Sequence, residues 1–457
     1  MGVSTFVGIE TALRGLRAQQ QALEITGHNI TNANTPGYTR ETATLAASAP
    51  LQVAPGQLMG TGVDVTGYQR VRDTFLDVQL RAQTMLQGSA QSTQDYLGQI
   101  EGVINEPSDT GLNSLLGNYW SAWQDVSNSP EDTATRQALV EAAKNLADGF
   151  DNTAGQLTTI KAQTTQDAQL TVDQINADGV TLQGLNQAIY NAQAVGDTAN
   201  DLMDQRDQVL DELSGLGSLS VTDNGDGTLD VKLDNVTLVQ SKTAYTLSES
   251  GGTLSNNMAV PETATVAANA GKLGALIALR DTTIPSYLSQ LNTVASTLIT
   301  QTNTLQQGGV GLDGSTNKPF FSGTDATDIG VAVTAPQIAA ASVANAPGDN
   351  SNALALVAMQ YDTSFAPLAG ATIDTAYSQL VTTIGSDSAS AQQATSNANV
   401  LVDSLKSRRD SVSGVSLDEE MTNLIKYQQG YQAASRALNA IDDALSTLIS
   451  RTGRVGL

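Results

Sequence analysis

Residues 413–449 read SGVSLDEEMTNLIKYQQGYQAASRALNAIDDALSTLI. Gly414 breaks the preceding helix, and Ser416 with Glu419 forms a capping box in which each side chain satisfies the other's orphan backbone amide. A long helix therefore begins at Leu417. Leu417, Leu424, Tyr431, Leu438 and Leu445 recur every seven residues, and Met421, Ala434, Ile441, Leu448 and Ile449 widen the same face. This heptad stripe needs a partner, because an isolated helix of this length is marginal in water and each buried Leu contributes about 1.5–3 kcal/mol.

The other end of the chain carries a matching pattern. Phe6, Ile9, Leu13, Leu16, Leu23 and Ile30 recur at alternating three- and four-residue steps, with Gln20 and Gly27 in the remaining seam positions. Both ends are electrically neutral: residues 1–45 hold three basic and three acidic side chains, and residues 400–457 hold seven of each. The middle holds 12 basic and 36 acidic residues, so the whole net charge of −24 lies between the helical ends. That excess repels phosphate backbones and anionic lipid headgroups, which argues against nucleic acid as a partner. The two ends are expected to pack coaxially on each other and on neighbouring copies.

The first helix stops at a defined turn. Asn29, Asn32 and Asn34 are followed by Thr35-Pro36-Gly37-Tyr38-Thr39-Arg40, where Pro36 drives Thr35 out of the helical region and Gly37 permits a positive φ. Further on, residues 72–105, 112–127, 130–193 and 198–213 read as helices separated by Gly, Pro and Asn clusters. The texture changes at 218–222, 228–233, 236–240 and 244–248, short alternating runs with Asp-Gly and Asp-Asn turns between them. Helical periodicity resumes over 271–305, yields to a hairpin around 320–333, and returns from residue 350. The expected fold is mainly α with a small inserted β domain: a terminal coiled-coil domain (1–60 with 415–457), a discontinuous long-helix bundle (61–215 with 269–414) and the β insert (216–268).

Candidate chemistry is sparse. The chain has no cysteine and one histidine, His28, so no thiolate site can form and no second imidazole is available for a metal, and a surface or interface histidine is expected. Gly309, Gly311 and Gly314 match a dinucleotide-binding spacing but follow a polar helix instead of a buried strand, which makes them a turn. Asp223-Asn224-Gly225-Asp226-Gly227 starts like a calcium loop but lacks the twelfth-position Glu and sits between strands, so a hairpin turn is expected. Asp197, Asp201, Asp204 and Asp211 share one helical face and read as a solvated charge run; a carboxylate-based cell-wall hydrolase or an adhesin is a weaker alternative. Arg206, flanked by Leu202, Met203, Val209 and Leu210, should point inward and pair with a carboxylate from another element. No catalytic, cofactor or metal residue is assigned. No apolar run reaches membrane-spanning length, and Met1-Gly2-Val3-Ser4-Thr5 has neither a basic nor an apolar leader region, so neither membrane insertion nor Sec-type export is expected.

The run from Asn29 to Arg40 after a thirty-residue amphipathic helix resembles the N-terminal signature of bacterial flagellar axial proteins. The continuation Thr39-Arg40-Glu41 is most similar to their hook-associated, hook–filament junction family. Residues 70–77 (RVRDTFLD), 105–112 (NEPSDTGL), 201–207 (DLMDQRD), 271–274 (GKLG) with Arg280-Asp281, and 413–433 resemble segments of that family in order, although the central region is short for it. The resemblance implies a non-enzymatic, extracellular subunit of the flagellum, secreted through the flagellar type III channel. It would join hook to filament, with self-association, the hook protein, the next junction protein and a chaperone on the C-terminal helix as partners, and no cofactor. A rod, hook or second junction protein is the alternative within the class. The assembly residues it points to are Phe6, Ile9, Leu13, Leu16, Leu23 and Ile30 on one helix, Leu417, Met421, Leu424, Tyr431, Leu438, Ile441 and Leu445 on the other, and the turn formed by Asn32, Asn34, Thr35, Pro36, Gly37 and Tyr38. Ser416→Ala is expected to cost about 1 kcal/mol of helix stability, read by circular dichroism of an assembled sample.

Overall fold

The computed structural model describes residues 5–54 and 56–452; the side chains of residues 5, 6, 53, 54, 448, 451 and 452 lie outside that description, and with them the seam positions Phe6 and Leu448. Helix α1 (Thr5–Asn32) lies against α10 (Leu417–Thr452) at the far end of the chain. Between them stands a bundle of α2 (Thr74–Ile104), α3 (Leu112–Asn128), α4 (Thr133–Ala194), α5 (Asn200–Leu216), α6 (Gly271–Ala278), α7 (Ile284–Gly308), α8 (Ser351–Ala358) and α9 (Ile373–Ser413). Three of these helices begin where a side chain takes the orphan amides. Asp73 Oδ1 accepts from the amides of Phe75 and Leu76, Asp132 Oδ1 from Ala134, and Thr372 Oγ1 from Thr375. Helix α4 is the spine, about 90 Å long at 1.5 Å per residue. Its stripe of Leu139, Ala143, Leu146, Phe150, Leu157, Val172, Ile175, Leu182 and Ile189 is buried from one end to the other.

Five aromatic residues, both tryptophans among them, gather where α3 meets the loop after α7. Tyr119, Trp120, Trp123, Phe320 and Phe321 form one cluster with ring centroids 4.8–6.4 Å apart. Helix α9 closes the bundle antiparallel to α2, with Gln87 donating to Asn399 and Ser388 to Glu101. Polar anchors hold it: Trp120 Nε1 donates to Asp374, Tyr287 to Asp387 and Tyr377 to Glu106. Helices α2 and α5 cross so closely that a Cβ at Gly88 would lie 2.2 Å from the Gly215 carbonyl oxygen, which requires glycine there.

The insert follows α5. Strands β5 (Leu219–Asp223), β6 (Leu229–Leu233), β7 (Val236–Gln240) and β8 (Thr243–Ala244) form an antiparallel meander, and β9 (Leu247–Ser250), β10 (Thr253–Asn256) and β11 (Thr263–Thr265) a second small sheet. The alternating burial of β6 is the period-two pattern of its sequence. The Asp223–Gly227 segment is the β5–β6 turn, with Asp226 Oδ1 accepting from the amide and hydroxyl of Thr228. The Gly309–Gly314 segment is likewise a turn beyond α7. Several side chains fasten the insert to the bundle, Asn186 and Arg280 among them. The Asn186 amide of α4 donates to the carbonyls of Leu229 and Ser241, and Arg280, in a single π-helical turn (Leu279–Thr283), sets two nitrogens on Glu249 at 2.8 and 2.9 Å.

Residues 41–70, which showed no strand signal in the sequence, form a long antiparallel arm. In it β1 (Glu41–Ala47) pairs with β4 (Val63–Arg70), and β2 (Leu51–Ala54) with β3 (Gln57–Met59) at the tip. Only β4 alternates, with Val63 and Val65 half-buried and Asp64 and Thr66 exposed; β1 and the tip strands are largely exposed and carry no such period.

The Asp234-Asn235 turn between β6 and β7 has φ of 48° and 67°, and Asp234 is buried with one carboxylate oxygen unpartnered. Burial raises its carboxyl to about 6. An acid whose folded value is raised destabilises the fold as pH rises from about 4, the unfolded value, to the folded one. Asp234→Asn, which keeps a residue that tolerates positive φ, should therefore match the parent below about pH 4 and exceed it by about 1–3 kcal/mol above pH 6, measured by urea unfolding across that range.

Candidate assembly interface and its joint to the bundle

The terminal helices pair antiparallel in one constant register. Gly8 faces Ile441, Gln19 faces Gly430 and Asn29 faces Glu420, so that facing residue numbers add to 449 along the whole contact. On α1 the most deeply buried residues are Ala18, Ala22, Thr26 and Asn29, small side chains that admit close approach. Of the residues singled out in the sequence, Ile9, Leu13, Leu16, Leu23 and Ile30 are half-buried, as are Leu424, Leu438, Ile441 and Leu445. Leu417, Met421 and Tyr431 are exposed, and so is Ile425, which extends Leu417 and Met421 into a stripe at four-residue spacing.

The turn after α1 is built around Asn29. Its Nδ2 donates to the Glu41 carbonyl and to Glu420 Oε2, and its Oδ1 accepts from the Tyr38 hydroxyl at 2.8 Å and from the Glu41 amide at 2.9 Å, which uses every hydrogen-bonding position of the amide. One side chain thus joins α1, the turn, β1 and α10. Gly37 has φ of 79°, the Thr35 amide bonds the Asn32 carbonyl and the Tyr38 amide bonds the Thr35 carbonyl, while Asn34, Thr35 and Pro36 face solvent. Arg40 then reaches α10, with Nε on Glu420 and Nη1 on Glu419, both at 2.8 Å. This corrects the capping-box reading: Ser416 Oγ does accept from the Glu419 amide, at 3.4 Å, but the Glu419 carboxylate is held by Arg40 instead of returning to Ser416. A full cation is the stronger partner for it than a backbone amide.

Behind the turn lies an ion-pair network that the sequence reading missed. Asp204, Asp207 and Asp211 occupy one face of α5. Arg70, at the end of β4, bonds Asp204 and Asp207; Arg72 bonds Asp77 and Asp207; Arg81 of α2 bonds Asp207 and Asp211; and Arg409 of α9 bonds Asp211 at 2.6 Å. Asp204 also accepts from the Thr39 amide at 2.7 Å. The acidic face is therefore not a solvated charge run. Asp204 is buried and Asp211 is paired, while Asp197 and Asp201 stay exposed. Burial works against the Asp207 charge, but Arg72, Arg70 and Arg81 outweigh it and hold its carboxyl below the usual range. The signal for the network lay in the segments RVRD and DLMDQRD, whose scarce arginines and aspartates are complementary.

Arg206 is buried, yet its partners are neutral: Nη1 donates to Asn186 Oδ1 at 3.1 Å and to the Gly227 carbonyl at 2.7 Å. Among the described residues no carboxylate from another element reaches it; the Asn186 amide of α4 and the Gly227 carbonyl of the β5–β6 turn take that place. Desolvation lowers the Arg206 pKa accordingly. Near the turn, His28, Glu41 and Asp201 each place one possible ligand atom within 4.8 Å of the other two. No helix among the described residues is long and apolar enough to cross a membrane.

A chain whose two ends form one antiparallel coil, with a rigid bundle clamped to its base by directional ion pairs, is built as a subunit of an axial assembly. Three family descriptions match it: flagellar hook-associated protein FlgK helical domain over residues 97–321, flagellar basal body rod FlgEFG protein C-terminal over 407–451, and flagella basal body rod protein over 9–39. Flagellar hook-associated protein 1 of Bacillus subtilis is 29% identical, with 98% of this chain and 99% of that protein covered. The same protein of Escherichia coli is 26% identical, covering 96% and 98%, and that of Salmonella typhimurium 28%, covering 96% and 99%. The structure of the flagellar hook junction protein FlgK from Burkholderia pseudomallei shares the fold, with a TM-score of 0.66 at 16% identity over 73% of this chain and 100% of that one. Over nearly its full length the chain is thus similar to flagellar hook-associated protein 1 of these bacteria.

Asp207→Asn removes the acceptor shared by Arg70, Arg72 and Arg81 and leaves their charges partly uncompensated, so it should cost about 3 kcal/mol in urea unfolding at pH 7. Because the folded Asp207 pKa is depressed, its contribution is fully present above the unfolded value near 4 and is lost as pH falls through the folded value. The gap between parent and variant should accordingly close only below about pH 4.

Proposed function

We propose that this protein is a structural subunit of the bacterial flagellum that forms the junction between hook and filament. The observation that carries the reading is the terminal coil: α1 and α10 cover each other along one face, and α10 leaves Leu417, Met421 and Ile425 uncovered on another. Near-full-length similarity to hook-associated protein 1 supports placing that coil in an axial flagellar structure, where the family assembles with other flagellar components. In this reading the coil lines the inner wall of a tube through the seam of Ile9, Leu13, Leu16, Leu23, Leu424, Tyr431, Leu438 and Leu445. The turn from Asn32 to Tyr38 sends the chain outward to the bundle and β insert. The subunit meets the hook protein on one side and templates the next junction protein on the other.

The same surface accounts for transit. An exposed apolar stripe on α10 is what an export chaperone would cover before secretion through the flagellar type III channel to the cell exterior. The role is mechanical and non-enzymatic. The rod-protein matches at both ends cover only the coil and its flanks, whereas the FlgK helical domain covers the bundle, which favours the junction over the rod or hook.

Deleting the gene and imaging the cells tests this directly. Intact hooks without filaments, and unpolymerised flagellin in the medium, are expected; loss of the hook would indicate a rod or hook subunit, and normal flagella would refute the reading. Leu438→Asp, which places a charge in the coil seam, should abolish incorporation into flagella while the far-ultraviolet circular dichroism of the purified chain keeps its bundle signal.

A further inference from the structure

We infer a divalent-cation site at the joint, held by His28, Glu41 and Asp201, with Zn²⁺ as the ion that its donors fit. His28 Nε2 lies 4.0 Å from Asp201 Oδ2, and a Glu41 carboxylate oxygen completes the group within 4.8 Å. The hydrogen bonds on the far side of the ring fix its tautomer. Both Asn29 Nδ2 protons are committed, to the Glu41 carbonyl and Glu420, so Asn29 Oδ1 is the atom that meets the Tyr38 hydroxyl. Tyr38 has one hydroxyl proton and gives it to Asn29. Its oxygen can then only accept from His28 Nδ1, 3.1 Å away, which makes Nδ1 the protonated nitrogen. With the proton on Nδ1, Nε2 is the nitrogen that faces the two carboxylates, the arrangement of a metal-ligating histidine whose other nitrogen is held by a second partner.

Glu41 supplies the independent observation. The residue is 6% exposed, and among the described residues no ion pair reaches its carboxylate; its backbone is engaged by Asn29, and the Asn200 side chain is the one neutral group that pulls its carboxyl down by hydrogen bonding. Burial raises its carboxyl, and Asp201 and Asp204 add to the rise against a pull from Asn200 and His28. A buried carboxylate facing an imidazole lone pair and a second carboxylate lacks a positive charge. One imidazole with two carboxylates suits Zn²⁺, whereas Ca²⁺ and Mg²⁺ prefer all-oxygen sets. A cleft of about 220 Å³ lined by His28, Tyr38, Asp201 and Gln205 opens the His28 and Asp201 side of the site to solvent. The three donors come from α1, β1 and the first turn of α5, so a bound ion would tie the coil to the bundle. This inference does not depend on the junction reading.

The test uses the full chain, stripped with a chelator and titrated with Zn²⁺ by calorimetry and by competition with a chromophoric chelator. Because His28 is the only histidine, its ring nitrogens can be followed without ambiguity by ¹⁵N NMR. Binding of about one equivalent is expected, with the Nε2 resonance shifting while Nδ1 stays protonated. Asp201→Asn, at an exposed position that should not disturb folding, and Glu41→Gln should each weaken binding by about tenfold or more. Absence of binding would overturn the site, as would Zn²⁺ affinity unchanged in Asp201→Asn, which would place the ion elsewhere on the acidic chain. A ring protonated on both nitrogens that Zn²⁺ does not displace would show that a proton, not a metal, supplies the missing charge.

Discussion

The row of carboxylates on α5 is the constraint on which the rest of the structure depends. Asp204, Asp207 and Asp211 collect arginines from the end of the β arm, from α2 and from α9, and Asp204 also takes the Thr39 amide of the turn leaving α1. Remove the row, and four elements that converge from distant parts of the chain lose their common partner. The chain has only 22 basic side chains against 46 acidic ones, and five of the 22 (Arg40, Arg70, Arg72, Arg81 and Arg409) are spent at this joint. Such concentration makes sense for geometry more than for net stability. A guanidinium on a carboxylate has directional preferences, so a network of them fixes one angle between coil and bundle, while an apolar contact of the same area would tolerate sliding.

The joint also has a covalent side that the ion pairs reinforce. Helix α9 passes into α10 with only Gly414, Val415 and Ser416 between them, and the Arg40 amide bonds the Ser413 carbonyl at 2.8 Å beside that break. The Val71 amide in turn bonds the Arg40 carbonyl. Four chain segments, the turn after α1, the base of the arm, the end of α9 and the start of α10, therefore meet within a few residues of one another. A force applied to the coil reaches the long helices α2, α4 and α9 through this point and not through a flexible linker, which is the property a subunit bridging two mechanically different tubes requires.

Much of this was legible in the sequence because the information was local. Heptad spacing, the helix start at Leu417 after Gly414, the Asn-to-Pro36-Gly37 stop and the alternation of β6 are decided within a few residues, and the elements they specify are present. What escaped was decided at long range. The β arm alternates only over the few residues from Val63 to Thr66, and its other strands are too exposed to show a period. Asp204 is buried only because Arg70 and Thr39, more than 130 residues away, come to it. The same long-range placement took the carboxylates away from Arg206 and left it a neutral amide and a carbonyl.

The coil itself shows how one helix can serve two masters. Residues of α10 that face α1 are spaced to meet small side chains such as Ala18 and Ala22, which brings the two axes close and leaves the larger side chains at the edges half-covered. Leu417, Met421 and Ile425 lie one turn apart along the first part of α10, outside that contact, in the segment that Arg40 holds by Glu419 and Glu420. Their orientation is thus set by the same ion pairs that orient the bundle. An apolar surface whose direction is fixed relative to the bundle can define a single angle between successive copies, and an angle repeated from copy to copy is what closes a tube instead of an aggregate.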